Sequence, residues 1–75
     1  MTLLKVTSGK RVRIKSINDF KTKETLLHMG IIPDDQLEVV KKSFLGSPLF
    51  LMDQKGSFFA LRGPEASYID VEEVC

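Results

Sequence analysis

The chain has 75 residues, of which 43% are apolar and 28% are charged, which is ordinary for a globular protein. So short a chain predicts one small domain over residues 1–75, and because its apolar residues are needed for a core, there is little room for the deep pocket of an enzyme. The formal net charge of +1 argues against a strong overall attraction to nucleic acid or to a membrane.

The charges are unevenly distributed. Residues 1–23 contain seven Lys or Arg and one acidic residue, whereas residues 64–75 contain four acidic residues and no basic one. We expect the two ends to lie side by side in a sheet and to neutralise each other. The alternative is a basic patch that meets an acidic partner.

The single cysteine, Cys75, cannot form an internal disulfide, which fits a reducing compartment. Residues 1–6 lack the apolar core of a signal peptide, and the longest apolar run, Leu49 to Met52, is far too short to span a membrane. The sequence predicts a cytoplasmic protein without direct membrane insertion.

The first half of the chain predicts a strand and a helix. Residues 10–17 alternate, with Val12 and Ile14 facing inward and a bulge or strand end at Ser16. From Phe20 to Met29 the apolar spacing becomes helical, and we place Leu27 on the buried face. Thr22 or Asp19 can cap this helix, and Gly30 and Pro33 end it.

The second half predicts strands over 36–42, 49–53, 57–62 and 68–74, with a hairpin turn at 53–56 and a helical turn at 63–66. The fold class is therefore mainly β: a small SH3-like five-stranded barrel with one inserted short helix and a late helical turn. Seven residues are predicted to form the core: Val12, Ile14, Leu27, Val39, Leu61, Ile69 and Val71.

Apolar residues outside this core mark a candidate binding surface. Phe44 and Leu45 lie in a loop, which cannot easily bury two large side chains, and alternation allows Val40, Met52 and Phe58 to lie on the outer face. A contiguous exposed group would bind a protein partner or mediate weak self-association. Each residue taken singly could equally belong to the core.

Several short motifs, taken together and in order, resemble the family of the ferrous iron transport protein A (FeoA). In that family a leucine-rich helix ends in Leu-Gly-hydrophobic-x-Pro-Gly, followed by a valine-rich strand, a Pro-Leu-Gly-Asp-Pro loop, a Leu-Arg strand end and an Ile-x-Val-Glu strand. The resemblance spans residues 9–74. The matching segments here are Leu27-His28-Met29-Gly30-Ile31-Ile32-Pro33, Leu37-Glu38-Val39-Val40, Leu45-Gly46-Ser47-Pro48, Ala60-Leu61-Arg62, Glu65-Ala66 and Ile69-Asp70-Val71-Glu72.

Three positions depart from the family pattern. Asp34 stands where the family prefers Gly, and because Asp tolerates left-handed backbone, the turn can survive. Phe44 and Ser47 replace a Pro and an Asp of the loop. The resemblance implies an SH3-like barrel that serves as a cytosolic accessory of a bacterial ferrous iron transporter, a large membrane protein with a GTP-binding domain. The same barrel also occurs behind the DNA-binding domains of iron-dependent repressors.

No catalytic motif is present, so we predict no enzymatic activity. Arg62 could act in trans as an arginine finger on a GTPase, but an Arg at a strand end is more often a surface ion-pair partner. We assign Arg62, with Phe44 and Leu45, to partner binding.

We predict no cofactor and no dedicated metal site, because the possible donors His28, Asp34, Asp35 and Cys75 lack the spacing of one. Asp34 and Asp35 are better explained as turn formers, and His28 as a solvated residue at a helix C-terminus. The basic strand 10–15 has no aromatic residues on which bases could stack, so we predict no nucleic-acid partner. A small-barrel nucleic-acid-binding or transcription-associated module remains the alternative function.

Overall fold

The computed structural model describes residues 1–43 and 47–74. A short 3₁₀ turn over Leu3–Lys5 precedes five strands and two helices. The strands and helices are, in chain order, β1 (Arg11–Ile17), α1 (Phe20–His28), β2 (Gln36–Lys42), β3 (Leu49–Asp53), β4 (Phe58–Leu61), α2 (Gly63–Ser67) and β5 (Ile69–Glu73).

The five strands form one antiparallel sheet in the order β4-β3-β2-β1-β5. The sheet shifts register between Ile14 and Ser16 of β1, where the sequence predicts a bulge. A second shift lies in β2 between Val39 and Lys41. The predicted mainly β fold with one inserted helix and a late helical turn is therefore confirmed.

One continuous core lies on the inner face of the sheet. Six of the seven predicted core residues are buried there, and the exception is Leu27. The buried apolar residues are Leu3, Val6, Val12, Ile14, Leu26, Ile31, Leu37, Val39, Leu49, Leu51, Leu61, Ala66, Ile69 and Val71.

The assignment of Leu27 to the core is wrong. Leu26 is fully buried and Leu27 is 57% exposed. Neighbouring helical residues point about 100° apart, so a short helix can bury only one of the two. Thr22 shares the buried face with Leu26, whereas Phe20 and Met29 are exposed.

The ends of α1 follow the predicted signals. The side chain of Asp19 caps the N-terminus, since its Oδ2 accepts hydrogen bonds from Thr22 N at 3.0 Å and Thr22 Oγ1 at 2.9 Å. At the other end Gly30 adopts a φ of 78°, the left-handed conformation that glycine supplies at low cost.

The N-terminal segment belongs to the fold, although the sequence analysis assigned no element to it. Leu3 and Val6 lie in the core. The carbonyl oxygen of Met1 accepts a hydrogen bond from Val71 N at 2.7 Å, and Thr2 forms a β-bridge with Asp70. The segment thus lies along the outer edge of β5.

Candidate protein-interaction surface

The outer face of β3 carries large apolar side chains. Leu49 and Leu51 point into the core, so Phe50 and Met52 between them point outward. Phe50 is 40% exposed, and Met52 is half-buried. The core cannot use these side chains, because alternation places them on the opposite side of the sheet.

β4 continues this apolar surface toward the sheet edge. Met52 lies opposite Phe58, and Phe50 lies opposite Ala60, in the antiparallel pair. Phe58 is 72% exposed. Paired residues in adjacent strands project from the same face, so these four side chains form one patch.

The register shift in β2 adds Val40 to the patch. Val39 pairs with Leu51 and Lys41 with Phe50, so Val40 is an extra residue at a bulge beside Phe50. Val39 is buried and Val40 is exposed. We call the group of Val40, Phe50, Met52, Phe58 and Ala60 the apolar sheet face.

This surface agrees with the expectation that Val40, Met52 and Phe58 lie outward. Phe50 was missed, although the alternation of a strand places it on the same face as Met52, two residues away. Burial of an exposed phenylalanine in a partner is worth about 1.5–3 kcal/mol relative to leaving it in water. The apolar sheet face can therefore supply binding energy.

Arg62 lies at one end of the same face. Its backbone is extended (ψ 157°) and continues the alternation of β4, which places its side chain on the side of Phe58 and Ala60. Its N–H donates to Glu65 Oε1 at 3.0 Å. Within residues 1–43 and 47–74 no carboxylate forms an ion pair with its guanidinium, so the ion-pair role expected for a strand-end Arg is not observed.

Phe44 and Leu45 lie outside the described residues. The segment that carries them connects the ends of β2 and β3 nearest to Phe50. Its C-terminal end is held next to α2, because Gly63 N donates to Ser47 Oγ at 2.9 Å. The structure therefore brings one end of this segment close to Arg62.

Among the described residues, three ion pairs link the charged residues near β1 and β5 to neighbouring strands or to the N-terminus. Arg13 Nη1 lies 3.5 Å from Glu72 Oε1, and Arg11 Nη2 lies 3.4 Å from Glu38 Oε1. The N-terminal ammonium lies 3.1 Å from Asp70 Oδ1. The basic and acidic ends of the chain thus meet across β1 and β5, as expected.

The candidate metal donors do not converge in the described part of the chain, which holds no group of three or more His, Cys, Asp and Glu that could bind an ion. Asp34 adopts a φ of 80°, and Asp35 Oδ2 accepts a hydrogen bond from Ile32 N at 3.1 Å. Both therefore act as turn formers, as predicted. Cys75 lies outside the described residues.

None of the helices in the described ranges is long and apolar enough to cross a membrane.

A second exposed apolar area lies on α1. Phe20 and Leu27 lie seven residues apart on the same side of the helix and border a shallow hollow with Lys23 and Glu24. Because charged side chains separate the two apolar ones, this area is less continuous than the apolar sheet face. The wrong placement of Leu27 in the core concealed it in the sequence.

Comparison with protein-family models gives one result: the model of the FeoA domain matches residues 1–73. No curated protein matches the chain.

Solved structures share the fold. The iron(II) transport protein A of Clostridium thermocellum is 32% identical with a TM-score of 0.87, over 99% of this chain and 46% of that one. FeoA of Stenotrophomonas maltophilia is 25% identical with a TM-score of 0.81, over 96% of this chain and 89% of that one. The latter was solved with zinc and is described as an SH3 domain protein and a suggested activating factor of ferrous iron transport.

A manganese-dependent transcriptional repressor is also similar, at 20% identity and a TM-score of 0.89, over 99% of this chain and 36% of that one. At this identity the likeness shows a common fold alone. The SH3-like architecture expected from the sequence is confirmed by these neighbours.

Proposed function

The chain belongs to the FeoA family, whose members are linked to ferrous iron transport, and from this membership we propose that it is a cytoplasmic accessory protein of a bacterial ferrous iron transporter. It acts by docking on the cytosolic, GTP-binding part of that transporter. The docking surface consists of the apolar sheet face, the neighbouring Phe44–Leu45 segment and Arg62.

The observation that carries this proposal is the apolar sheet face itself. A chain of 75 residues has few large side chains to spare, yet Phe50 and Phe58 contribute little to its own core. Exposed aromatic residues within an apolar patch are typical of protein interfaces. Binding a partner therefore explains why these side chains point outward.

Arg62 and the Phe44–Leu45 segment have different roles in the proposal. The guanidinium of Arg62 forms no ion pair with the described residues, so it is available to an acidic surface of the transporter and steers the encounter. Phe44 and Leu45 are assigned to the proposed interface as further apolar anchors. No catalytic step is assigned to any of these residues.

The test compares serine substitutions on the proposed surface with one elsewhere. Phe50→Ser, Phe58→Ser and the double variant Phe44→Ser/Leu45→Ser are expected to abolish binding to the isolated cytosolic part of the transporter. Leu27→Ser removes from α1 an apolar side chain whose exposure, 57%, lies between those of Phe50 and Phe58. It is the matched control, and binding is expected to be retained.

Two measurements accompany each variant: the melting temperature and the ability to support ferrous iron uptake in cells that lack the native protein. For Phe50→Ser, Phe58→Ser and Leu27→Ser we expect melting temperatures close to that of the unmodified chain, because these three side chains lie outside the core. The proposal expects the same of Phe44→Ser/Leu45→Ser. If only the Leu27→Ser variant lost binding, the docking surface would lie on α1 and not on the apolar sheet face. Full binding and full uptake in all four variants would refute the docking proposal.

A further inference from the structure

The two edges of the sheet are protected very differently. The edge of β5 is acidic, with Asp70, Glu72 and Glu73, and the N-terminal segment covers part of it. The edge of β4 has the sequence Phe-Phe-Ala-Leu, without a charge or a proline. It is the last strand of the sheet, and no other described strand pairs with it. Edge strands in natural proteins are normally protected by charge, proline, cover or shortness, and among the described residues β4 has only its short length of four residues.

The hydrogen-bond pattern identifies the backbone groups on this edge that have no partner among residues 1–43 and 47–74. Asp53 N donates to Ser57 O at 2.9 Å, so the pairs that exchange hydrogen bonds across β3 and β4 are 53/57, 51/59 and 49/61. The N–H and C=O groups of Phe58 and Ala60 therefore point away from β3. The next residue in this alternation, Arg62, already uses its N–H and C=O to cap and begin α2.

We propose that two copies of this chain pair through β4, antiparallel and about a two-fold axis at Phe59. In this register Phe58 lies opposite Ala60 of the second copy, and Ala60 lies opposite its Phe58. Each pair exchanges two backbone hydrogen bonds, so all the free groups of both edges are satisfied.

Other registers of self-pairing leave some of these backbone groups without a hydrogen bond. A two-fold axis at Phe58 or at Ala60 would require the N–H of Gly56 or of Arg62, and both are already hydrogen-bonded within the chain. An axis between two residues would place inward-facing side chains opposite outward-facing ones. The edge therefore fits one register with a copy of itself.

The side chains also complement each other in this register. On the outer face, the large Phe58 meets the small Ala60 of the second copy. Within each copy, Phe50 lies beside Ala60 and Met52 beside Phe58. Pairing through β4 therefore joins the apolar sheet faces of the two copies into one surface. On the inner face the two half-buried Phe59 side chains meet at the axis. Pairing thus doubles the apolar sheet face instead of covering all of it.

The proposed contact is small. Four residues from each copy bury far less than the roughly 1,200 Å² of a stable interface, so the dimer is transient. The inference does not rest on the proposed function, because it concerns the chain alone and is tested without a transporter.

The experiment measures the mass of the chain by sedimentation between about 20 µM and about 1 mM, the range in which small transient interfaces form. We expect the average mass to rise from one chain toward two. Ala60→Pro removes an N–H that faces away from β3, so no hydrogen bond between β3 and β4 is lost. We expect it to weaken association by about tenfold or more, since two hydrogen bonds of the dimer are lost. Ala60→Ser retains the N–H and is expected to associate normally.

A dilution series followed by NMR tests the same register without substitutions. The amide signals of Phe58 and Ala60 should shift with concentration, whereas those of β5 should not. A chain that stays monomeric throughout, an Ala60→Pro variant that is folded and associates as before, or shifts confined to other surfaces would each overturn the proposal. If the chain stayed monomeric and its β4 edge instead bound an extended peptide from another protein, the proposal of self-pairing would also be wrong.

Discussion

Leu26 and Leu27 are neighbours in α1 with opposite environments: the first is fully buried and the second is 57% exposed. Only one face of this helix packs against the sheet, together with Thr22. The pair provides a matched test of how α1 is anchored, since both substitutions to Ala remove the same atoms from the same helix.

Leu26→Ala is expected to lower the free energy of unfolding by about 2–5 kcal/mol, because it leaves a cavity in the core. Leu27→Ala is expected to change it by no more than about 0.5 kcal/mol, as is usual for surface positions. Urea unfolding of both variants gives the comparison. If the two variants lost the same free energy of unfolding, α1 would not bury Leu26 in preference to Leu27.

Two neighbouring aspartates in the turn before β2, Asp34 and Asp35, are expected to affect stability in opposite directions. Asp34 has a φ of 80°, which costs any residue with a Cβ about 1–2 kcal/mol relative to glycine, and less for Asp. We therefore expect Asp34→Gly to raise the free energy of unfolding by up to about 1 kcal/mol, since part of the gain is offset by the more flexible unfolded chain.

Asp35→Ala should have the opposite effect. It removes the hydrogen bond from Ile32 N to Asp35 Oδ2 and is expected to cost about 0.5–1.5 kcal/mol. Thermal unfolding of the two variants side by side tests the assignment. A destabilised Asp34→Gly variant would mean that the Asp34 side chain itself makes a stabilising interaction.

If Arg62 steers docking, its removal should alter the kinetics of transporter binding more than the lifetime of the complex. We expect Arg62→Ala to reduce the association rate severalfold at low salt, with a much smaller change in the dissociation rate. Arg13→Ala is the control, because Arg13 is paired with Glu72 within the chain. Surface plasmon resonance at two salt concentrations compares the association rates of the two variants. An unchanged association rate for Arg62→Ala would show that Arg62 does not steer docking.

Nucleic-acid binding is expected to be absent at physiological ionic strength. Two of the basic residues of β1, Arg11 and Arg13, are paired with Glu38 and Glu72, which reduces the positive charge available to phosphates. Titration of labelled single- and double-stranded oligonucleotides against salt is the measurement. Tight, sequence-dependent binding that falls steeply with salt would favour the transcription-associated module instead.

Much of the sheet could be predicted from the sequence because strand periodicity is unambiguous. Val12 and Ile14 in β1, and Ile69 and Val71 in β5, alternate with charged residues, and a period of two leaves only one choice of inner face. The same logic predicted Phe58 on the outer face. The turns at Gly30 and Gly56 were predictable because both need positive φ, which favours glycine.

The tertiary structure decided what local patterns left open. Helical spacing allowed either Leu26 or Leu27 to be buried, and the packing of α1 against the sheet selected Leu26. The burial of Leu3 and Val6 depends on contacts with residues far along the chain, such as the bond from Val71 N to Met1 O, which joins residues 70 positions apart. The order of the strands, which places β4 and β5 at the two edges, and the N-terminal segment that lies along β5 likewise follow from long-range pairing that no local sequence pattern encodes.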